Sequence, residues 1–437
     1  LWFYDLEHWR TTGELVRRDL LVGEAALTTG FIDGDTLYAV TTLGASNKRV
    51  VAFDLESDRP EKHRELIAAR PDTVIVGIAP APERIVVDTL IDAQSRIEIF
   101  DRAGRPQGNV ELPGIGSAGI VTNPQRTIAW MQFENFAEPA SLHRVDLAGG
   151  RATLWKRTEL GAAGDGPALV VEQVRYRSAD GTVVPMFLVH RRDLRRDGTN
   201  PTVLYGYGGF DISLTPSFLA AWRPWLVRGG VYAVANLRGG GERGADWHRA
   251  GMLENKQNVF DDFYAAAEWL IENGYTRRDR LGIRGGSNGG LLTGVAITQR
   301  PEIASAAILA VPLLDMLRYQ HFLMARYWVP EYGSAEDPDQ FRYLRAYSPY
   351  QNVVPGTHYP AVLLTAGEND SRVHPLHARK MTAALQAATA SDPDDKPVLL
   401  RVDRDVGHGP GKPLSLRIRD AADEVLFMAR QLGLEIR

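Results

Sequence analysis

The chain has 437 residues, of which 44% are hydrophobic and 24% charged, and its formal net charge is -4. This length predicts two or three domains, and the weak net charge gives no reason to expect a nucleic-acid or membrane-surface partner. Because the chain contains no cysteine, disulfides, cysteine-ligated zinc and a thiol nucleophile are excluded.

Any targeting segment would be hidden by the start of this sequence. No apolar run approaches the roughly 20 residues of a membrane-spanning helix. The chain begins Leu-Trp-Phe-Tyr, with neither Met nor a signal-peptide pattern. We interpret this start as an internal point of a longer parent protein, whose true N-terminus is not seen. The expected location is cytoplasmic, with the periplasm as the alternative.

One sequence pattern that is typical of a strand end recurs four times in the first 150 residues. The four copies are Phe-Tyr-Asp-Leu (3–6), Ala-Phe-Asp-Leu (52–55), Ile-Phe-Asp-Arg (99–102) and Arg-Val-Asp-Leu (144–147). Its Asp lies at positions 5, 54, 101 and 146, which are 49, 47 and 45 residues apart. The last three copies each follow a predicted hairpin partner, at 36–41, 84–90 and 127–133. Strands at this density, with a period in the forties, are typical of four-stranded β-propeller blades. A β-sandwich with coincidental spacing is the alternative.

Residues 1–166 are therefore predicted to form a partial β-propeller, with about three blades plus the end of another. So few blades cannot close a ring, and ring closure is how a propeller protects its edge strands. We expect either further blades before Leu1 in the parent protein or a reduced variant with exposed edges. Residues 161–167, Gly-Ala-Ala-Gly-Asp-Gly-Pro, are predicted to be the linker that leaves this domain.

Strands and helices alternate in the rest of the chain, which predicts a mostly parallel sheet with helices on both faces. Ligands of such sheets bind at the carboxyl ends of the strands. The predicted strands are 171–177, 183–190, 202–207, 231–236, 280–283, 307–311, 361–366 and 398–402. The predicted helices are 260–274, 290–298, 376–390 and 416–432.

Residues 285–289 read Gly-Gly-Ser-Asn-Gly, between a predicted strand and a predicted helix. Gly-x-Ser-x-Gly at such a junction is typical of the nucleophile elbow of an α/β-hydrolase, a turn too tight for a Cβ at either flanking glycine. A glycine-rich turn with a bystander serine is the alternative, because the motif alone is common by chance. We predict that 167–437 is an α/β-hydrolase domain and that Ser287 is its nucleophile.

A serine nucleophile needs a histidine base and a carboxylate that orients the histidine. In α/β-hydrolases these residues follow the serine in the order Asp or Glu, then His. Asp370 follows the predicted strand 361–366, and His408 follows the strand 398–402 between two glycines. We therefore predict the triad Ser287, Asp370 and His408.

This assignment has rivals on the same loops. His374 and His377 stand at the entrance to a helix, where a capping or surface role is more common. Glu368 and Asp405 are the rival carboxylates, although Asp405 and His408 share one loop, in which neighbouring side chains seldom point at each other.

An oxyanion needs at least two hydrogen-bond donors. The backbone N–H of Asn288 would be one, since Asn288 follows the nucleophile. A tyrosine hydroxyl from residues 205–210, Tyr-Gly-Tyr-Gly-Gly-Phe, is the candidate for the second, and the pattern does not choose between Tyr205 and Tyr207. Residues 238–243, Arg-Gly-Gly-Gly-Glu-Arg, lack the Walker A and dinucleotide-binding patterns, and we interpret them as a structural loop near the site.

Seven motifs together resemble the prolyl oligopeptidase family of serine peptidases. The resemblance is dense from about 170 to 437, whereas the first part resembles the family by its repeat pattern. The motifs are Tyr-Gly-Tyr-Gly-Gly-Phe (205–210), Asn-Leu-Arg-Gly-Gly-Gly-Glu (236–242), Asn-Lys-Gln-Asn with Phe-Asp-Asp-Phe (255–263), Gly-Gly-Ser-Asn-Gly-Gly-Leu-Leu (285–292), Tyr-Ser-Pro-Tyr (347–350), Asp-Ser-Arg-Val (370–373) and Gly-His-Gly (407–409).

The resemblance implies a role for each matching residue. Ser287, Asp370 and His408 match the triad of the family, and the hydroxyl of Tyr207 matches the donor that joins the N–H of Asn288 in the oxyanion hole. The remaining matches form the proline pocket: Trp328 stacks on the proline ring, Phe210, Val373 and Tyr332 are other walls, and Arg372 holds a substrate carbonyl. No carboxylate signature for basic substrate residues, as in the related oligopeptidase B, is seen.

The resemblance also implies an activity and partners. A family member hydrolyses short peptides on the carboxyl side of proline through an acyl-enzyme, and its propeller limits access to short peptides. We expect short proline-containing peptides as partners, no nucleic acid, no membrane, no cofactor and no metal. The family has a further N-terminal segment, so a missing N-terminal portion of the same protein is another expected partner.

Two other functions are weighed against this one. An esterase or a broader-specificity serine peptidase could use the same scaffold, because an open site would accept other acyl substrates. A non-catalytic, propeller-type binding protein with a vestigial hydrolase is the second alternative, and the intact set of Ser287, Asp370 and His408 argues against it.

Overall fold

The computed structural model describes residues 1–164, 166–409 and 411–435. The chain divides into two compact units. The first consists of Leu1–Glu159, Thr215–Phe218 and Glu242–Asp246, and the second of Leu160–Leu214, Leu219–Gly241 and Trp247–Arg437. Asp165, within the predicted linker, lies outside the described residues, so the boundary after residue 166 stays a prediction.

The first unit opens with a two-stranded antiparallel ribbon, β1 (Trp2–Tyr4) and β2 (Arg17–Asp19), which are joined through α1 (Leu6–Thr12). Three antiparallel sheets of four strands follow, and each strand pairs with its neighbours in sequence. They are β3 (Thr28–Asp33), β4 (Thr36–Thr41), β5 (Arg49–Asp54) and β6 (His63–Ile67); β7 (Val74–Ala81), β8 (Arg84–Ile91), β9 (Gln94–Asp101) and β10 (Pro106–Asn109); β11 (Ser117–Asn123), β12 (Arg126–Glu134), β13 (Ser141–Asp146) and β14 (Arg151–Arg157). The three predicted hairpins are confirmed as β4–β5, β8–β9 and β12–β13.

The recurring Asp caps the turn that follows its strand. The Oδ1 atoms of Asp54, Asp101 and Asp146 each accept a backbone N–H from the residue two positions on, at 2.9 to 3.1 Å. Asp5 accepts two N–H groups in the same way but begins α1 instead of a turn. The first copy also ends a strand, β1, but its Asp caps a helix because an Asp side chain caps a helix as readily as a turn.

Successive sheets of the first unit stack face to face. On β8, Ile85 and Val87 pack into a core shared with β3–β6, whereas Val86, on the opposite face, packs into a core shared with β11–β14. The period of two along a strand lets one sheet bury both faces between two neighbours. This repeated stacking is that of propeller blades and not of a two-sheet sandwich.

The second unit is built on one eight-stranded sheet. Its strands are β15 (Leu169–Arg177), β16 (Val183–Arg191), β17 (Thr202–Gly206), β18 (Val231–Ala235), β19 (Leu281–Gly286), β20 (Ala306–Ala310), β21 (Ala361–Gly367) and β22 (Val398–Asp403). The spatial order is β15-β16-β18-β17-β19-β20-β21-β22. The first two pairings are antiparallel and the other five are parallel, so the expected mostly parallel sheet is confirmed.

Helices and short 3-10 turns connect these strands. The helices are α2 (Arg223–Val227), α3 (Ala245–Arg249), α4 (Gln257–Glu272), α5 (Asn288–Gln299), α6 (Val329–Tyr332), α7 (Pro338–Tyr347), α8 (Leu376–Ala388) and α9 (Leu414–Leu432). The 3-10 turns are Gly161–Gly164, Ala220–Trp222, Leu253–Lys256, Arg278–Arg280, Tyr319–His321, Ala325–Trp328 and Pro349–Asn352. In the described parts of the chain, no helix combines the length and the apolarity of a membrane span.

The four predicted helices are found with shifted ends as α4, α5, α8 and α9, whereas α7 and the short helices α1, α2, α3 and α6 were not predicted. Asp337 accepts the N–H groups of residues 339 and 340 at the start of α7, and Pro338 occupies its first turn. This Asp-Pro pair is a helix-start signal. Apolar residues of α4 and α5, such as Phe263 and Leu291, pack in one core with residues of the sheet. This packing holds both helices against the parallel strands.

Candidate active site

The nucleophile elbow has the strained geometry that its sequence predicts. β19 ends at Gly286 and α5 begins at Asn288, and between them Ser287 adopts φ 58° and ψ -116°. A Cβ on Gly285 would lie 2.0 Å from the carbonyl oxygen of Gly289, and a Cβ on Gly289 would lie 2.6 Å from that of Gly206. Both flanking positions therefore require glycine, and the turn presents the Ser287 side chain at the carboxyl edge of the sheet.

The loops after β21 and β22 carry Asp370 and His408, and the two loops are bonded to each other. The N–H of Asn369 donates to the carbonyl oxygen of Val406 at 3.0 Å. A Cβ on Gly367 would lie only 2.5 Å from the same oxygen, so the loops approach as closely as glycine permits. Adjacent parallel strands thus bring together two side chains that are 38 residues apart in the chain.

Ser287, His408 and Asp370 form a continuous hydrogen-bonded series. Nδ1 of His408 lies 2.6 Å from Oδ2 of Asp370, and Nε2 lies 3.1 Å from Oγ of Ser287. Asp370 is only 4% exposed, and its Oδ1 accepts the N–H groups of Arg372 and Val373 at 2.9 Å each. With its proton on Nδ1, His408 presents a free Nε2 lone pair that can accept the serine proton, while the carboxylate stabilises the resulting imidazolium.

The two rival histidines are bonded elsewhere. Nδ1 of His374 accepts the N–H of Leu376 at the start of α8, which is a capping contact. His377 is buried, and its Nδ1 accepts the N–H groups of Leu314 and Asp315 at 3.2 and 3.1 Å. Burial lowers the pKa of His377 to about 4, so the neutral ring that these two bonds require is favoured.

The two rival carboxylates, Glu368 and Asp405, are exposed at the surface. Asp405 stands in a turn, with a φ of 56°, directly before Val406. Asp370 is the carboxylate that lies buried against the His408 ring, and a buried carboxylate with fixed donors orients a histidine better than a solvated one.

The structure separates the two tyrosines that the sequence pattern left open. Tyr205 lies on β17, where its ring stacks on Tyr232 at 6.4 Å and contacts the Arg284 guanidinium. Tyr207 lies beyond the end of β17. Burial raises the pKa of the Tyr207 phenol to about 12, while a hydrogen bond with the Ser287 side chain acts in the opposite direction. Tyr207 is therefore protonated at neutral pH, as a donor to an oxyanion must be.

Asn288 contributes its side chain as well as its position at the start of α5. Its Nδ2 donates to the carbonyl oxygen of Tyr207 at 2.5 Å, and its Oδ1 accepts the hydroxyl of Tyr332 at 2.8 Å. The first N–H groups of a helix have no intrahelical acceptor and are available to an anion. The side chain thus holds the backbone of Tyr207 close to the turn that carries the Asn288 N–H.

The turn after Tyr207 needs positive φ angles, which are 62° at Gly208 and 59° at Phe210. A Cβ on Gly208 would lie 2.3 Å from the Val259 side chain, and a Cβ on Gly239 would lie 2.7 Å from the Gly208 carbonyl oxygen. Residues 238–241 therefore pack against this turn, and the buried Arg238 fixes them through Asp262 at 2.6 Å. These contacts support the structural role that we expected of this glycine-rich loop.

Phe210, Trp328 and Tyr332 form an aromatic cluster. The ring of Phe210 meets Trp328 edge-on at 6.4 Å between centroids and Tyr332 at 5.5 Å. Phe210 and Trp328 are partly exposed, whereas Tyr332 is fully buried. The first two rings can therefore offer a surface to a ligand, and Tyr332 supports them from behind while its hydroxyl holds Asn288.

The last two predicted pocket residues flank Asp370 in the chain. Val373 is 3% exposed and Arg372 is exposed. The positive charge of Arg372 acts to lower the pKa of Tyr207, which places it near the predicted oxyanion donor. An exposed guanidinium at this position can reach the carbonyl of a bound peptide.

Sequence reasoning assigned no role to a buried charged cluster beside the aromatic rings. Oε1 of Glu331 accepts the N–H of Phe210 at 3.0 Å and lies 3.5 Å from Nζ of Lys256, while Oε2 lies 2.7 Å from Nε2 of His248. Lys256 donates to the carbonyl oxygen of Gly208 at 2.8 Å. The sequence does show one charged residue, Glu331, among the aromatic residues of 327–333. It gives no indication of the partners of Glu331, which are 75 or more residues away in the chain.

Among the residues that the structure describes, no group of three or more His, Asp or Glu side chains is arranged to hold a metal ion. The chemistry above needs only the side chains and backbone groups of the site.

Two family models match the chain: the prolyl oligopeptidase family at residues 216–435, and the N-terminal β-propeller domain of prolyl oligopeptidase at 1–158. The prolyl endopeptidase of Elizabethkingia miricola is 38% identical over 405 residues, which is 92% of this chain and 56% of that protein. The dual function macrocyclase-peptidase POPB of Galerina marginata is 35% identical over 413 residues, with the same two coverages. The chain spans a little over half the length of these curated relatives.

Solved structures of the family superpose closely. One, from a study of two prolyl endopeptidases and their inter-domain dynamics, has a TM-score of 0.90 and 41% identity, and the match covers 97% of this chain and 62% of the other. Prolyl oligopeptidase B of Galerina marginata, bound to a 35mer hydrolysis and macrocyclization substrate, has a TM-score of 0.89, 32% identity and coverages of 97% and 60%. The predicted fold class, propeller blades followed by an α/β-hydrolase domain, is thereby confirmed, and the chain belongs to the prolyl oligopeptidase family of serine peptidases.

Proposed function

We propose that this chain carries the active site of a serine endopeptidase that hydrolyses short peptides on the carboxyl side of proline. The observation that carries the proposal is the geometry at His408, whose Nε2 lies 3.1 Å from Oγ of Ser287 while its Nδ1 lies 2.6 Å from Oδ2 of Asp370. The nucleophile Ser287, its base His408 and the orienting carboxylate Asp370 are thus in line.

The proposed reaction has two halves. Oγ of Ser287 attacks the carbonyl carbon of the proline residue while Nε2 of His408 takes the serine proton, and Asp370 stabilises the imidazolium. The Tyr207 hydroxyl and the Asn288 N–H hold the oxyanion. His408 then protonates the departing amine, which leaves an acyl-enzyme ester on Ser287. A water molecule, deprotonated by His408, attacks this ester and releases the carboxylic acid.

Proline selectivity is proposed to come from the aromatic cluster. Proline is compact, apolar and has no N–H, so a pocket recognises it by ring stacking and shape and not by hydrogen bonds. The partly exposed Trp328 and Phe210 offer such surfaces, the buried Val373 and Tyr332 would support these walls, and Arg372 would hold a substrate carbonyl. Relatives that are named prolyl endopeptidases support this assignment. The proposed partners are short proline-containing peptides.

The test measures kcat/KM of the 437-residue chain on a blocked Gly-Pro anilide, a matched Gly-Arg anilide and a simple acetyl ester. The proposal predicts cleavage of the Gly-Pro anilide and little or none of the Gly-Arg anilide. Ester turnover without cleavage of the Gly-Pro anilide would favour the alternative, an esterase or broader-specificity hydrolase on the same scaffold. No turnover of any substrate would contradict both functions for this chain.

The variant Trp328→Ala tests the proline pocket. We expect its kcat/KM on the Gly-Pro anilide to fall about 100-fold, because it loses an indole surface worth about 2–3 kcal/mol, while turnover of the ester stays within a few fold. Trp155→Ala, which removes an exposed indole from β14, is the matched control and should leave the ratio of the two activities unchanged. Equal losses on both substrates in Trp328→Ala would show that Trp328 is a core residue and not a pocket wall.

A further inference from the structure

We propose that Glu331 is a positioning residue for the proline pocket, which joins the segment that carries Trp328 to the turn that carries Phe210. This inference rests on the proposed function, since it concerns how that function selects its substrate. Glu331 does not touch the reacting atoms in this arrangement. It acts through the two aromatic rings that the proposal places against the proline.

The contacts of Glu331 run between two elements that are more than 100 residues apart in the chain. Its Oε1 accepts the backbone N–H of Phe210 at 3.0 Å. Glu331 lies on α6, three residues after Trp328 and directly before Tyr332, and both of these rings contact Phe210. The carboxylate therefore holds the backbone of one pocket wall from the segment that carries the other wall.

The carboxylate is itself held by two cations or potential cations. Nε2 of His248 lies 2.7 Å from Oε2, and Nζ of Lys256 lies 3.5 Å from Oε1. Lys256 is 1% exposed and also donates to the carbonyl oxygen of Gly208, two residues before Phe210. Burial alone would raise the pKa of Glu331, but the His248 hydrogen bond, the Lys256 charge and the Phe210 N–H together lower it, so the group is ionised.

The residues just before Trp328 include one that packs in the core, Ala325, which is 2% exposed. Met324 and Tyr327, which precede Trp328, are exposed, whereas the fully buried Tyr332 anchors the other end. The Phe210 turn, for its part, has a φ of 59° at a bulky residue, a conformation that persists only where surrounding contacts impose it. The Glu331 carboxylate is such a contact, and it is 5% exposed, so water cannot easily replace it.

The experiment compares Glu331→Leu and Glu331→Gln with the unchanged 437-residue chain on the Gly-Pro anilide and on the acetyl ester, which has no group to fill the proline pocket. Glu331→Leu removes the acceptor of the Phe210 N–H, and a displaced pocket wall should lower kcat/KM on the anilide about 100-fold. Ester turnover should fall less than about fivefold, because Ser287, His408 and Asp370 keep their geometry. Glu331→Gln keeps an acceptor oxygen and should retain anilide activity to within about tenfold.

Asp315→Leu is the matched control. Asp315 is an equally buried carboxylate of the same unit, but it is paired with Lys380 and Arg318 instead. Removal of the Asp315 carboxylate should lower the anilide and ester activities by the same factor, because only the folded fraction of the protein changes. Thermal unfolding measures this folded fraction for every variant. A purely structural Glu331 would behave in the same way.

The outcomes separate the inference from the function on which it rests. Selective loss of anilide cleavage in Glu331→Leu, with recovery in Glu331→Gln, supports the inference. Unchanged anilide cleavage, or equal loss on both substrates as in Asp315→Leu, overturns it while the proposed function stands. If the unchanged chain turns over the ester but not the Gly-Pro anilide, the proposed function fails and the inference fails with it.

Discussion

Aspartates at strand ends cap turns in both units, but Asp370 of the second unit also holds a histidine. In the blades, Asp54 and Asp146 use Oδ1 to cap the turn that follows the strand. Asp370 caps its own turn in the same way, through the N–H groups of Arg372 and Val373, but its Oδ2 also holds His408 at 2.6 Å. A carboxylate that caps a turn, such as Asp370, thus becomes part of a site when a side chain from another loop, here His408, lies against it.

Sheet topology explains the difference. Every blade strand pairs with its neighbours in sequence, so the residues that meet are close in the chain. In the eight-stranded sheet, β17 pairs with β19 and β21 with β22, and their intervening helices are folded away to the faces. The loops that converge at the carboxyl edge therefore come from distant parts of the chain, which is the condition for assembling a catalytic centre.

The largest predicted effect distinguishes Asp370, which holds His408, from Asp146, which caps a turn. Asp370→Asn should lower kcat on the ester about 10⁴-fold, because the amide favours the wrong histidine tautomer, while thermal stability changes little. Asp146→Asn keeps a capping oxygen and should leave kcat unchanged. Steady-state kinetics and circular dichroism melts check both, and an Asp370→Asn variant with near-normal kcat would remove Asp370 from the triad.

Tyr207→Phe should have the next largest effect. Removing one oxyanion donor costs about 10²–10³-fold in kcat, and the change should fall on the anilide and the ester alike because both form an oxyanion. Tyr205→Phe is the matched control, since Tyr205 packs on Tyr232 on the other side of the β17 end. If Tyr205→Phe were the damaging variant, the assignment of the oxyanion donor would be reversed.

The second unit should lose stability in acid through His377. The pKa of this ring is about 4 in the folded chain, below the value of about 6.5 expected when unfolded, so its contribution is complete above pH 6.5 and disappears as the pH falls through 4. The shift corresponds to about 3 kcal/mol. His377→Asn, which keeps an acceptor for the N–H groups of Leu314 and Asp315, should flatten this part of the pH profile. Hydrogen exchange in peptides that cover 311–318, compared at pH 4 and pH 7, measures it.

The first unit should respond to pH in the opposite direction through Asp88. Burial raises the pKa of this β8 carboxyl to about 6, above its unfolded value, so its contribution is complete in acid and is lost as the pH rises through 6. Asp88→Asn should therefore stabilise the first unit at pH 7, by about 3 kcal/mol, and hardly at all at pH 4. Hydrogen exchange of peptides from β7–β9 would detect this, and equal stabilisation at both pH values would contradict the titration of Asp88.

Local signals in the sequence were sufficient for much of this architecture. The tight glycines at 285 and 289, the loop positions of Asp370 and His408 and the three hairpins all follow from short patterns. The predicted strand 280–283 ended too early, because Arg284 has the polarity of a surface residue. In the structure β19 continues to Gly286, since Glu424 of α9 pairs with Arg284 at 2.8 Å.

Long-range contacts account for what the sequence left open. Tyr205 and Tyr207 stand two residues apart in one motif, and only the end of β17 at Gly206 separates a ring that stacks on Tyr232 from a ring beyond the strand. The Glu331 carboxylate contacts His248 and Lys256, and no local periodicity of the sequence predicts these two partners. Such buried charged partners become visible only when the elements that carry them have been packed together.

Trapping the acyl-enzyme shows whether Ser287 is the nucleophile. The chain is mixed with a blocked Gly-Pro p-nitrophenyl ester, quenched in acid and digested, and the peptide that contains Ser287 is analysed by mass spectrometry. The account predicts that this peptide gains the mass of the blocked Gly-Pro acyl group, that Ser287→Ala shows no such gain, and that the matched Gly-Arg ester labels it weakly. Product formation without an adduct on Ser287, or an adduct that persists in Ser287→Ala, would contradict it.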